Sequence, residues 1–139
     1  NDEFSKITLE HISKIITDGK IYHLENNNYK KILDMKNIET MQLLKNPVDF
    51  LKNNKMLDTL YLDLKQNENI LEMIKNYEPI LKQKGFLLFL YNFQSIENQN
   101  NKKELQILLN KLKDTFEMVQ EINLTDFFKS SFMIIMTKI

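Results

Sequence analysis

The run Lys55 to Asn69 (KMLDTLYLDLKQNEN) reads as an apolar strand with an aspartate at each end, followed by a polar break and a helix. In an open parallel sheet, ligands and reacting groups sit just outside the carboxyl ends of the strands. Asp63, at the exit of this strand, would face such a crevice, where a carboxylate can serve as general base or acid. The plainer reading is an aspartate that caps the next turn or helix. Glu25 follows the strand-like run Lys20 to Leu24 (KIYHL) and has a comparable strand-end position, while Asp58 reads as a solvated strand-start residue. His11 lies on a helix between Glu10 and Ile12, and His23 on a strand next to Leu24. Neither has an acidic or sulfur partner at metal-ligand spacing, so no metal site is expected.

These candidates depend on the elements that carry them. Phe4, Ile7, Leu9, Ile12, Ile15 and Ile16 recur at roughly helical spacing over Phe4 to Thr17, and Asp18-Gly19 supplies a C-terminal stop. A short strand over Lys20 to Leu24, a short helix over Tyr29 to Met35 and a strand over Ile38 to Leu44 follow, separated by Asn-rich or Pro-containing stretches. Beyond the strand Leu57 to Leu64, the run Glu68 to Lys82 places Ile70, Leu71, Ile74, Tyr77 and Leu81 on one face of an amphipathic helix that Pro79 disturbs near its end. Gly85 separates that helix from Phe86 to Phe93, which is apolar enough to be buried on both faces as a central parallel strand is. Lys102 to Phe116 is a further helix with Leu105, Leu108, Leu109 and Leu112 as its stripe. The strands Glu117 to Leu124 and Phe132 to Lys138 are joined by Thr125 to Ser131, too short for a parallel crossover, so they form an antiparallel pair. The pattern predicts an α/β sandwich with a mostly parallel sheet and a C-terminal antiparallel hairpin.

With 139 residues the chain is sized for one domain over 1–139, burying roughly two thirds of its unfolded surface. Basic and acidic residues balance at 19 each, so no bulk charge draws the domain toward nucleic acid or anionic lipid. All the basic residues are lysine, and without arginine the bidentate fork that commonly grips phosphate is missing. Lys102-Lys103 and Lys111-Lys113 therefore read as a solvated helix face rather than an RNA-facing patch. The absence of cysteine removes disulfides and thiolate metal sites and fits a reducing, intracellular compartment. The longest apolar run, Phe86 to Tyr91, is far too short to span a bilayer, and no membrane association is expected. Phe127, Phe128 and Phe132 read as hairpin core or as an edge packed on a partner.

Taken in order, these segments resemble the fibrillarins, S-adenosylmethionine-dependent RNA 2′-O-methyltransferases of box C/D ribonucleoproteins, over nearly the whole chain. Leu57 to Gln66 (LDTLYLDLKQ) fits the family pattern Val-Asp-Val-Ile-Phe-Ala-Asp-Val-Ala-Gln without a gap, with Asp58, Asp63 and Gln66 in register. Asp18 to Glu25 (DGKIYHLE) is similar to the family segment whose glutamate binds the ribose hydroxyls of S-adenosylmethionine, which implies that role for Glu25. Gly85 to Glu97 (GFLLFLYNFQSIE) resembles the strand that carries the family's lysine, and Ile122 to Leu124 with Phe132 to Lys138 resemble its final hairpin. The resemblance implies a Rossmann-like methyltransferase three-layer sandwich. It also implies S-adenosylmethionine as cofactor, Asp63 as catalytic candidate, RNA and a ribonucleoprotein protein as partners, and a nucleolar setting.

The departures fall where the chemistry would be. Asn1 to Thr8 (NDEFSKIT) holds no glycine where the family has a glycine-rich loop that lets the backbone approach the cofactor. Leu43-Leu44 stand at the family's Glu-Asp pair on the adenine side, and their side chains accept no hydrogen bond. Asn92 stands at the family's catalytic lysine and Ser131 at a histidine. A cation beside the carboxylate polarises the attacking hydroxyl and keeps the aspartate ionised, which Asn92 cannot do. The fold's first strand precedes the glycine loop and is expected to lie outside this chain, leaving a slot in mid-sheet whose unpaired backbone groups would each cost roughly 1–3 kcal/mol if buried. The sequence thus predicts a fibrillarin-like fragment that is a non-catalytic or strongly degenerate structural or interaction module of an RNA-processing ribonucleoprotein. The alternative is an active RNA 2′-O-methyltransferase whose cofactor loop lies upstream of residue 1. A third reading is an α/β domain without an assignable site, which a sheet order foreign to methyltransferases would favour.

Overall fold

The computed structural model describes residues 10–16, 18–25, 38–42, 46–63, 70–92, 99–124, 126 and 131–139. They fall into two compact units, Asn1–Lys45 and Asn46–Ile139.

In the first unit, residues 10–15 form helix α1. The strands β1 (Ile21–Glu25) and β2 (Ile38–Gln42) pair in parallel, from Ile21 opposite Ile38 to Glu25 opposite Gln42. Residues 26–37 separate them, about the dozen that a parallel crossover requires. The strand expected over Lys20 to Leu24 begins and ends one residue later. The helix expected over Tyr29 to Met35 lies outside the described residues, as do Leu43-Leu44.

The second unit is a four-stranded mixed sheet in the order β3-β4-β6-β5. β3 (Leu57–Leu62) runs parallel to β4 (Leu81–Asn92), with Leu62 opposite Phe89. β6 (Ser131–Lys138) runs antiparallel to both β4 and β5 (Phe116–Asn123), so the predicted antiparallel closing pair is present. Helix α2 (Ile70–Tyr77) lies between β3 and β4 in sequence, and α3 (Gln99–Leu112) between β4 and β5. A 3-10 turn over Pro47–Lys52 precedes β3. Among the described residues β3 pairs with β4 alone, and β1 and β2 form their own two-stranded sheet.

Alternation along the strands sets the core of this unit. Successive strand side chains point to opposite faces, and Leu60 and Leu62 of β3, Leu87, Phe89 and Tyr91 of β4, and Ile134 and Met136 of β6 are all buried. The helical stripes are buried too: Ile70, Ile74 and Tyr77 of α2 and Leu105, Leu108 and Leu112 of α3. Leu71 and Leu109, expected on those stripes, are only half-buried at their margins.

Several expected boundaries move. The helix predicted to run to Lys82 ends at Tyr77, passes through a 3-10 turn over Glu78–Ile80 and becomes strand at Leu81. Pro79 is the reason, because its ring removes the N–H that a continuing helix would bond. Gly85, expected to punctuate, instead lies inside β4: a Cβ there would stand 2.8 Å from the Lys82 carbonyl oxygen, 2.9 Å from Leu81 Cδ1 and 3.0 Å from the Asp58 carbonyl oxygen. The close approach belongs to an irregularity in the β3–β4 ladder between Leu57 and Thr59, beside which Lys84 takes φ 61°. The helix predicted over Lys102 to Phe116 spans Gln99–Leu112 instead, and Phe116 opens β5 with its side chain buried.

Candidate functional site

Asp63 follows the last residue of β3, and Asn92 is the last residue of the adjacent parallel strand β4. Ser131 opens β6, and because β6 is antiparallel it stands directly opposite Asn92. The carboxyl rim of the sheet therefore carries Asp63, Asn92 and Ser131 on three strands adjacent in the sheet. Their face follows from the register. Tyr61 pairs with Leu88, so continuation of the ladder puts Asp63 level with Leu90, and Leu90 and Asn92 alternate onto the same side.

Two of the three touch. The Ser131 hydroxyl donates to Asn92 Oδ1 at 2.7 Å. Ser131 is only 5% exposed, so this bond gives its hydroxyl an acceptor inside the protein. The Ser131 carbonyl in turn accepts from the Leu124 backbone N–H at 3.0 Å, which closes β5 against β6 at the same point. Ser131 is thus a joint between β4 and the closing hairpin.

Asp63 keeps an exposed side chain, yet the protein around it displaces enough water to push its carboxyl above the ordinary value. Desolvation is the cause. A carboxylate beside an ammonium would shift down instead. Tyr61, two residues earlier on the same face, has its phenol held above its ordinary range by burial, with the Asp63 charge adding to the effect. Tyr61 belongs to the expected apolar strand, and its i, i+2 spacing to Asp63 is the one sequence signal of this coupling.

Glu25 is the last residue of β1, at a strand's carboxyl end as expected, in the first unit. Glu25 has an acceptor side chain, but Leu43-Leu44 have none and Asn1 to Thr8 offer no glycine. Asp58, read as solvated, is exposed and pairs with Lys82 Nζ at 2.6 Å across β3 and β4. His11 is exposed. Lys102, Lys103, Lys111 and Lys113 are exposed as a solvated face requires. Phe132 is half-buried, and Phe127 and Phe128 lie outside the described residues. Among the described residues no group of three or more His, Cys, Asp or Glu could hold a metal, and no helix is long and apolar enough to cross a membrane.

Comparisons with known proteins bear on the whole arrangement. A fibrillarin in complex with Nop5p superposes with a TM-score of 0.80 at 20% identity, over 95% of this chain and 67% of that one. The fibrillarin of Aeropyrum pernix with bound S-adenosyl-L-methionine gives a TM-score of 0.71 at 21% identity, over 94% of this chain and 61% of that one. An S-adenosylmethionine-dependent methyltransferase from Aquifex aeolicus gives 0.70 at 14% identity, over 94% of this chain and 76% of that one. The chain thus has the Rossmann-like methyltransferase fold and spans about two thirds of the length of those fibrillarins. No curated protein matches it by sequence. The fibrillarin family profile matches residues 4–139, and the chain belongs to that family.

Proposed function

We propose that this chain is a fibrillarin-family methyltransferase fold used as a non-catalytic or strongly degenerate module, acting through protein contacts within an RNA-processing, nucleolar ribonucleoprotein. The observation that carries the reading is the bond between Ser131 and Asn92. The two rim positions where the family resemblance implies a histidine and a lysine hold neutral groups that bond to each other. Asp63 has a proton affinity raised by desolvation. To take a proton from a hydroxyl, a carboxylate must be ionised and the developing alkoxide must be stabilised; general acid–base help of this kind contributes roughly 10²–10⁴ in rate. Asn92 stabilises such a charge far less than an ammonium does. Family membership and the Nop5p complex of a similar fibrillarin support a protein partner of that kind for this chain.

The specific observation on the other side is Asp63 itself, retained at the carboxyl end of a parallel strand. On that reading the chain transfers a methyl group from S-adenosylmethionine to an RNA 2′-hydroxyl, with Glu25 on the cofactor ribose. A methyl-transfer assay on the full-length protein with its assembly partners separates the two. We expect no transfer above background; transfer that disappears in Asp63→Ala would establish the active reading instead.

A further inference from the structure

We propose that the outer edge of β5 is a docking site for an extended, lysine- or arginine-bearing segment of a partner protein, which adds to the sheet as a further strand beside residues 120–123. The inference rests on the protein-contact reading and deepens it, yet the two fail separately: peptide titration probes the edge, whereas methyl transfer judges that reading.

β5 is the terminal strand of its sheet, and among the described residues it pairs with β6 alone. A terminal strand turns alternate backbone N–H and C=O groups outward, a template for a further strand. The ladder with β6 is interrupted between Met118 and Gln120, so Val119 is the extra residue of a bulge. Beyond the bulge the pairing is regular, from Gln120 opposite Ile135 to Asn123 opposite Phe132, long enough to seat a short strand. Next to that run Met118 and Val119 are 39% and 53% exposed, apolar surface that an arriving strand would cover.

Charge identifies the occupant. Between Lys113 and Lys129 the chain carries Asp114, Glu117, Glu121 and Asp126 and no basic residue, although acids and bases balance over the whole. All of these acids are exposed. Glu117 and Glu121 lie on β5, and Asp114 and Asp126 flank its two ends. A basic segment laid along this edge meets opposite charge, and cross-strand pairs of opposite charge are favourable. A second copy of β5 would set the same acids against each other, and a phosphate backbone would be repelled. Glu121 stands opposite Ile134 and Ile122 opposite Met133, on opposite faces of the sheet. The complementary segment therefore alternates basic and apolar residues while its backbone extends the ladder.

The test titrates synthetic peptides into the isotope-labelled full chain, with amide NMR as readout. The probes are Lys-Val-Lys-Val-Lys-Val-Lys, the same peptide with glutamate for lysine, and the same peptide with proline for valine, which keeps the charge but cannot extend a ladder. The lysine–valine peptide should shift the amides of residues 120–123 and saturate below about 5 mM, as a short strand that must be ordered on binding does. The glutamate and proline peptides should bind roughly threefold or more weakly. E117K/E121K should lose affinity for the lysine–valine peptide by a similar factor and prefer the glutamate peptide instead. Both positions are exposed, so this variant should melt as the parent does. Equal affinity of the proline peptide would reduce the contact to charge alone and overturn the proposal. Equal affinity of the glutamate peptide, no saturation, or shifts confined to other strands would overturn it too. So would a chain that self-associates through β5, or the same amides shifting with single-stranded RNA.

Discussion

Desolvation raises the proton affinity of Asp63, and the sign of that shift sets how stability responds to pH. Between the ordinary carboxylate value and the raised one, the folded chain binds more protons than the unfolded chain. Stability therefore falls as pH rises through that window, and at neutral pH the Asp63 charge is slightly unfavourable to folding. Asp63→Asn should stabilise the chain at pH 7 by about 0.5 kcal/mol or less, because the exposed carboxylate is still well solvated. In acid below both values the variant and the parent should coincide, which urea denaturation at pH 3 and pH 7 measures. The strand-end position of Asp63 was legible from LDTLYLDL alone, since a period of two and a polar break mark it. The bond between Asn92 and Ser131 was not, because 39 residues separate them and only the β4–β6 register brings them together.

β4 begins where the sequence pattern continues a helix, and two nearby positions should respond to substitution in opposite directions. Gly85→Ala puts a methyl group 2.8 Å from the Lys82 carbonyl oxygen and should cost roughly 1–3 kcal/mol, as overpacking does. Lys84→Gly relieves a side chain held at φ 61° and should be neutral or stabilise by up to about 1 kcal/mol. Thermal melts of the two variants against the parent test the opposition. Lys138, near the far end of β6, fastens the same region: its ammonium pairs with Glu78 Oε1 at 2.5 Å and donates to the Glu78 and Leu81 carbonyls, each at 2.9 Å. These carbonyls lie where the turn after α2 becomes strand, and a cation there compensates acceptors that no helix continues to satisfy. Lys138→Met should cost roughly 1.5–3 kcal/mol, seen as a lower urea midpoint with an unchanged slope. Strand identity was readable because alternation and apolar runs are local signals. The boundary at Leu81 was not, because Leu81 lies four residues after Tyr77 and prolongs the helical stripe, whereas the ladder with β3 that claims it is non-local.

Family membership and fold do not by themselves fix activity, which resides in the site. In this chain the sheet order and the strand-end acid fit the family. We read the positions where the family resemblance implies a Glu-Asp pair, a lysine and a histidine as carrying Leu43-Leu44, Asn92 and Ser131 instead. That combination is why we read a partner-binding module rather than a transferase. Calorimetric titration of S-adenosylmethionine into the full-length protein tests this most directly. We predict no saturable binding at ligand concentrations up to about 1 mM, equivalent to less than roughly 4 kcal/mol of binding free energy. Saturation in the micromolar range, lost in Glu25→Ala, would contradict it.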